Sequence, residues 1–287
     1  MNTIPTLPPL AGEGAEGGRG RFWRTHRKPG NARSGFPPSA LRAPSPASGG
    51  RKAVAVLAVV CLWFANANAR AADQIPRSSA RTAAEAGLVD IRTRVPDIAE
   101  DIKYAGRDNF VGTRVDGYLA PKCLLLQPVA DALARVEHEL GARHLRLKIW
   151  DCYRPARAVA HFVRWAHDLG DLRTKPQHYP DLHKSQLLGD YIAPVSGHSR
   201  GATIDLTLQR CTADGACKAL DMGTDFDFFG TRAHTDAADV TTQQHANRRL
   251  LRDAMTREGF RNYPLEWWHD TLEPEPTPHT IYDVPVQ

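Results

Sequence analysis

The feature that most constrains the fold of this chain is a predicted strand with a carboxylate inside it. Over Ala202–Leu208 apolar residues alternate with polar ones, a pattern typical of a strand. Asp205 lies on the polar face, and the apolar residues point the other way. A carboxylate in such a strand is costly unless it is paired or bound to a metal ion. His198 comes just before the strand, where Gly197 and Gly201 permit a tight backbone path. For this pair alone, a metal site and an ordinary His–Asp hydrogen bond are equally open.

A second cluster, near the C-terminus, places Glu266 and His269 three residues apart among tryptophans. A helical turn would bring both side chains to one face and an extended strand would not, so the local conformation stays open. Two imidazoles and one carboxylate form a typical catalytic zinc set with a fourth position for water, whose pKa zinc lowers towards about 7. We therefore predict one zinc ion per chain, held by His198, Asp205 and His269, with Glu266 as the general base. The alternative for Glu266 is a surface carboxylate beside core tryptophans.

The third element is the segment Trp150–Pro155. Proline disfavours the helical region for the preceding residue, so Arg154 is expected at a strand-to-helix junction, where side chains often face a cleft. A guanidinium there would stabilise the oxyanion of a tetrahedral intermediate. An ordinary surface arginine is the alternative.

Hydrophobic periodicity predicts the framework around these residues. Helices and non-adjacent strands without a regular βαβ rhythm favour one α+β domain over residues 73–287, with a central antiparallel sheet flanked by helices. Gly141 is expected as a helix C-cap, and residues 265–272 as a short aromatic segment. The helices are predicted over 127–140, 155–167 and 247–259; the strands over 88–91, 144–150 and 202–208; a hairpin and loop over 211–242; loops over 104–118 and 171–189; and an irregular or short helical piece over 95–102.

The N-terminal residues differ in composition from the rest. Residues 1–50 are rich in Gly, Pro, Ser and Arg without hydrophobic periodicity, which predicts a disordered or spurious extension. Residues 51–69 have a basic start, a short apolar run and small residues, the pattern of a secretory signal peptide. The apolar run is shorter than the roughly 20 residues of a spanning helix, so no stable membrane span is expected after cleavage. We therefore expect an exported protein, periplasmic or secreted.

The positive charge is concentrated in that leader. Residues 1–72 hold ten of the 37 Lys and Arg and two of the 32 Asp and Glu, so the remainder carries a net charge of −3. We therefore do not expect the folded domain to have a basic surface that binds nucleic acid.

Export makes disulfides chemically possible. The four cysteines after the signal peptide allow three pairings. Cys211 and Cys217 flank a turn-like segment and would staple a hairpin, which leaves Cys123 and Cys152 as the other pair. Free buried thiols are the alternative.

From about Ile102 to the C-terminus the chain resembles the zinc D-alanyl-D-alanine dipeptidases. The resemblance rests on several separated motifs in the right order, which makes it far more specific than one His–Asp spacing. The motifs are Lys103-Tyr104-Ala105, Asp108-Asn109-Phe110, Gly112, Asp116-Gly117-Tyr118, Tyr153-Arg154-Pro155, the segment Ser196–Leu208, Phe226-Asp227-Phe228, Asn247-Arg248-Arg249 and Glu266-Trp267-Trp268-His269.

The resemblance implies the fold of the D,D-peptidase and hedgehog-like zinc peptidases and hydrolysis of the D-Ala-D-Ala dipeptide. It also implies zinc ligation by the three predicted ligands, Glu266 as base and Arg154 at the transition state. Asp227 would bind the dipeptide ammonium group, Ser196 and Tyr104 would line the substrate site, and Tyr118 is a weaker assignment to that site.

Other functions remain open from the sequence. Export favours a D,D-carboxypeptidase or endopeptidase that trims peptidoglycan peptides, and a third hypothesis is a non-catalytic, zinc-stabilised wall-binding module. Serine-peptidase chemistry is disfavoured because no G-x-S-x-G elbow surrounds Ser196. A small dipeptide is the expected partner, and a homodimer stays open.

Overall fold

The computed structural model describes residues 75–287. The predicted extension over residues 1–50 and the predicted signal peptide over residues 51–69 lie outside the described residues. None of the helices within 75–287 combines the length and the apolar character that crossing a bilayer requires.

Eight strands and four α-helices form the framework of residues 75–287. The strands are β1 (Leu88–Asp90), β2 (Ala99–Glu100), β3 (Leu124–Leu126), β4 (Leu145–Asp151), β5 (Thr203–Cys211), β6 (Cys217–Ala219), β7 (Phe260–Asn262) and β8 (His269–Leu272). The helices are α1 (Gln127–Gly141), α2 (Ala156–His167), α3 (Lys175–His178) and α4 (Thr242–Arg257).

The main sheet has the order β2-β4-β5-β8-β7, with β6 paired to the far end of β5. Its neighbours are antiparallel except for the short edge pair of β2 and β4, which is parallel. A separate antiparallel pair joins β1 and β3. Helices α1 and α4 pack against the main sheet. The prediction of an α+β fold with a largely antiparallel sheet is confirmed.

The two central strands differ in how they are buried. In β4 the side chains alternate between buried and half-buried, and Asp151 continues the buried series of Leu145, Leu147 and Ile149. Strand β5 is buried on both faces from Thr203 to Leu208. Asp205 is therefore enclosed on the polar side of its strand, as the alternation predicts.

Several element boundaries differ from those predicted. Helix α4 begins at Thr242 rather than Asn247 because Thr241 and Gln244 form a capping box: the Thr241 hydroxyl accepts from the Gln244 amide, and the Gln244 side chain accepts from the Thr241 amide. Gly141 is the last residue of α1 instead of its C-cap, a position that Ala142 takes. Helix α2 follows Pro155, which itself is the N-cap.

Some short elements were not predicted. Residues 95–102, expected to be irregular or helical, contain β2, and residues 171–189, expected to be a loop, contain α3 and a 3-10 helix over Lys184–Leu187. Strands β3 and β7 also went unpredicted, and each is only three residues long. Such short strands are defined by their partners rather than by their own sequence.

The four cysteines are joined in two pairs. Cys123 is bonded to Cys152, and Cys211 is bonded to Cys217 across the β5–β6 hairpin. The first bridge ties the start of β3 to the segment that follows β4, next to the site described below.

Candidate functional site

His198 lies in a 3-10 turn, Gly197–Arg200, that leads into β5. Ser196 caps this turn, since its hydroxyl accepts from the His198 amide at 3.3 Å. The turn ends at Gly201, whose φ of +75° favours glycine and where a Cβ would lie 2.9 Å from the Leu88 side chain.

The imidazole of His198 is completely buried, and its orientation is fixed. Its Nδ1 lies 2.7 Å from the Cys152 carbonyl oxygen. Because a carbonyl can only accept, Nδ1 carries the hydrogen and Nε2 is left with a lone pair. That nitrogen faces Asp205 Oδ2 at 3.2 Å and His269 Nδ1 at 3.3 Å.

Asp205 and His269 face each other in register on β5 and β8. His269 Nδ1 lies 3.1 Å from Asp205 Oδ1, and one ligand atom from each of His198, Asp205 and His269 can be chosen so that all lie within 4.8 Å of one another. The three predicted ligands, which are separated by up to 71 positions in sequence, are therefore brought together.

This donor set fits a divalent metal ion. Although it is close to His269, the buried Oδ1 of Asp205 accepts no hydrogen bond from any residue in 75–287. The nitrogens of His198 and His269 also converge on the same space. Two imidazoles and a carboxylate are the ligands of catalytic zinc sites, and a cation between them would satisfy the orphaned oxygen.

The neighbouring imidazoles also favour the ionised form of Asp205. Burial alone would raise the pKa of this carboxyl, but His198, and then His269, outweigh burial and hold the pKa well below its usual range. Asp205 is therefore an anionic partner for a bound cation.

Glu266 reaches the cluster from the turn between β7 and β8. Its amide donates to the Tyr263 carbonyl at 3.1 Å, and the His269 amide donates to the Glu266 carbonyl at 3.2 Å. The conformation left open by the sequence is therefore a compact turn, and Glu266 Oε2 lies 3.4 Å from His269 Nδ1. Burial, helped by the charge of Asp205, raises the pKa of Glu266 to about 8.

Arg154 stands at the junction of β4 and α2, as predicted. Its Nε donates to Asp151 Oδ2 at 2.9 Å, and its Nη2 donates to Asp205 Oδ2 at 3.3 Å. The guanidinium also lies 5.0 Å from the ring centres of Tyr104 and Phe162. The side chain is 12% exposed, so the alternative of an ordinary surface arginine does not apply.

Asp151 is a site residue that was not predicted from the sequence. It is fully buried and accepts from both Arg154 and the Tyr118 hydroxyl, the latter at 2.5 Å. Its Oδ2 also lies 3.5 Å from His198 Nδ1. One signal was present in the sequence: Asp151 falls at a position where the alternation of the strand predicts a buried apolar residue. A carboxylate there is destabilising unless it has partners.

A cavity of about 230 Å³ opens onto this cluster. It is smaller than the ~300–1,000 Å³ typical of pockets for drug-sized ligands, which suits a small ligand. Its lining includes Tyr104, Phe110, Arg154, Phe162, Tyr191, Ser196, Asp205, Asp227, Phe229, Tyr263, Glu266, Trp268 and His269.

The residues assigned to the substrate site divide into two groups. Tyr104, Ser196 and Asp227 line the cavity. The Tyr104 hydroxyl lies 3.0 Å from both carboxylate oxygens of Asp227. Tyr118 does not line the cavity: it is buried behind Arg154, and its hydroxyl donates to Asp151. The resemblance assigned Tyr118 to the substrate site. That assignment is corrected: Tyr118 contacts Asp151 and can influence the substrate only indirectly.

Comparison with known proteins identifies relatives of this chain. The M15 peptidase family model, described as D-ala-D-ala dipeptidase, matches residues 84–287. A D-alanyl-D-alanine dipeptidase of Streptomyces coelicolor is 44% identical over 193 residues, which cover 67% of this chain and 94% of the relative. One of Enterococcus faecium is 37% identical over 204 residues, which cover 71% of this chain and 100% of the relative. One of Escherichia coli is 35% identical over 185 residues, which cover 64% of this chain and 84% of the relative.

Proposed function

The chain belongs to the D-Ala-D-Ala dipeptidase family of M15 peptidases, and from this premise we propose that it is a zinc enzyme that hydrolyses D-Ala-D-Ala with Glu266 as its general base. Membership makes it a dipeptidase of a metal-dependent family. The identity of the ion and the roles of the residues are the proposed part.

One observation carries the proposal: a metal-type donor set, a buried base and a buried guanidinium converge on one small cavity. Glu266 approaches His269 from the β7–β8 turn, and Arg154 approaches Asp205 from the β4–α2 junction. A module that only bound the cell wall would need neither of them.

Zinc held by His198, Asp205 and His269 would polarise the peptide carbonyl and lower the pKa of a water molecule. Glu266 takes the proton from that water and later delivers it to the leaving amine. Its position supports this role, because Glu266 lines the cavity and its Oε2 lies 3.4 Å from His269 Nδ1. The Arg154 guanidinium stabilises the negative charge that develops on the carbonyl oxygen.

Asp227 accounts for the preference for dipeptides. Its carboxylate is buried at the cavity, and burial raises its pKa well above the usual range. An ammonium group beside it offsets that cost, as opposite charges favour the ionised form. A longer peptide has an amide nitrogen at this place, which carries no charge and leaves Asp227 without an opposite charge.

We also propose that the enzyme is exported, on the basis of the signal-peptide pattern over residues 51–69. The two cystine pairs of the described domain support an oxidising compartment.

Replacement of the base tests the proposed mechanism. Glu266→Gln should retain the bound zinc but lose about 10²–10⁴-fold in turnover, the usual contribution of a general acid–base group. Glu139→Gln is the matched control, because Glu139 lies on α1, has a side chain that is 39% exposed and pairs with Arg257. Turnover by the Glu266 variant at the level of this control would remove Glu266 from its role.

A further inference from the structure

We propose that His178 is a positioning residue that holds Asp227 in the conformation needed to bind the substrate ammonium group. The inference rests on the proposed function, which assigns that group to Asp227. His178 lies on α3, in a stretch for which the sequence predicts only a loop.

Asp227 has an unusual backbone. Its φ is +57°, and His144 is the only other non-glycine residue in 75–287 with a positive φ. A side chain in this region costs energy, so it persists only where the surroundings hold it, and such residues cluster at functional sites. Here the strained residue is also the one whose carboxylate accepts from Tyr104 at the cavity.

His178 makes two hydrogen bonds that bracket this backbone. Its Nδ1 lies 3.0 Å from the Asp227 carbonyl oxygen, and its own carbonyl accepts from the Phe229 amide at 2.6 Å. Because a carbonyl can only accept, the His178 Nδ1 carries the hydrogen. The side chain and the backbone of one residue therefore fix the chain on both sides of Phe228.

His178 is itself held firmly. Its amide donates to the Thr174 carbonyl at 3.0 Å, and the next amide, that of Tyr179, donates to the Lys175 carbonyl at 3.0 Å. Burial lowers the pKa of His178 below its usual value, which keeps the ring neutral at neutral pH.

His178 lies outside the dipeptide cavity. Its ring borders a separate cavity, whose walls include Lys103, Asp108 and Phe226, and it is not part of the lining of the dipeptide cavity. His178 is therefore placed to act through Asp227 rather than by contact with the substrate. Without the Nδ1 donor, the Asp227 backbone would relax towards negative φ and its carboxylate would turn away from Tyr104.

Two amide substitutions distinguish the loss of the Nδ1 hydrogen bond from a change in side-chain size. In His178→Asn the amide nitrogen reaches the place of Nδ1, whereas in His178→Gln it reaches that of Nε2. We expect the Gln variant to raise KM for D-Ala-D-Ala about tenfold, the effect of one lost hydrogen bond, with kcat and zinc content close to wild type. The Asn variant should restore KM to within about threefold of wild type. Equal KM values for both variants and the wild type would overturn the proposal, as would a loss confined to kcat.

A structural measurement keeps this inference separate from the proposed function. Crystal structures of the variants should show Asp227 with a positive φ in His178→Asn and outside that region in His178→Gln. An unchanged φ in the Gln variant would overturn the positioning role even if the enzyme is active. Failure of the wild type to cleave D-Ala-D-Ala would sink the proposed function, and the φ values would still decide whether His178 positions Asp227.

Discussion

Asp151 and Asp205 are partners in register on β4 and β5, and Arg154 donates a hydrogen bond to each of them. Asp205 is a predicted metal ligand, and Asp151 lies on the other side of the guanidinium, within 3.5 Å of His198. The position of Arg154 is thus set by two buried carboxylates, one of which also borders the metal ligands.

The first prediction concerns this link. Asp151→Asn keeps the shape of the side chain but removes the charge that orients Arg154 and lies beside His198. Partners of metal ligands typically contribute 10–100-fold to metal affinity or activity, so kcat/KM should fall by about that factor. Steady-state kinetics on the variant checks the prediction. Asp97→Asn, which removes the exposed partner of Arg146, is the control and should keep wild-type kinetics.

The second prediction concerns metal removal. A ligand that binds only the folded state at 100 times its Kd stabilises by about 2.7 kcal/mol. For a domain of this size that corresponds to a Tm change of about 5–11 °C. Thermal unfolding should therefore show a fall of this order after chelation and its recovery with zinc. In His269→Ala the zinc-dependent shift should vanish; a full shift in that variant would exclude His269 as a ligand.

The third prediction concerns the loop that carries Asp227. Arg248 on α4 is buried and donates to the carbonyls of Met222, Arg232 and His234, on both sides of Asp227. Burial lowers its pKa to about 10, which still leaves it charged at neutral pH. Arg248→Met would leave three buried carbonyls without a donor, at about 1 kcal/mol or more each.

Thermal unfolding measures this effect. Arg248→Met should lower Tm by about 6–12 °C, on the basis of ~3 kcal/mol for a domain of this size. Arg249→Met removes an exposed neighbour on the same helix and should change Tm by less than about 2 °C. Similar shifts in the two variants would contradict the prediction.

The fourth prediction compares the two disulfides. The bridge of Cys123 and Cys152 closes 29 positions and that of Cys211 and Cys217 closes six. Loop entropy predicts losses of roughly 3.6 and 2.2 kcal/mol when each pair is replaced by alanine. The first replacement should also reduce activity, because the Cys152 carbonyl orients His198. Urea unfolding and kinetics on both double variants check this; a larger activity loss from the hairpin pair would contradict it.

The sequence was informative where a pattern extends over many residues. Alternation identified the strands at 145–151 and 203–211 to within one to three residues at each end. Helical spacing identified α1, and Pro155 indicated the start of α2. The start of α4 was placed five residues too late because the polar turn after Thr241 has no apolar periodicity, only a capping signal. Strand β2 has two residues and exists only through its pairing with β4.

The site was predictable to the extent that its residues lie in recognisable motifs. His198, Asp205, Glu266 and His269 were named from two such segments and lie together. Tyr118 was assigned by resemblance alone, which does not report that the ring lies behind Arg154. His178 lies in a polar stretch without any pattern, and its contact with Asp227 exists only in three dimensions.

The most direct test of the central claim is to offer the purified protein D-Ala-D-Ala and, separately, a pentapeptide that ends in D-Ala-D-Ala. We predict that zinc-loaded enzyme releases D-Ala from the dipeptide, that Glu266→Gln does not, and that the pentapeptide is left intact. Release of D-Ala from the pentapeptide alone would contradict the account and would favour a peptidoglycan carboxypeptidase.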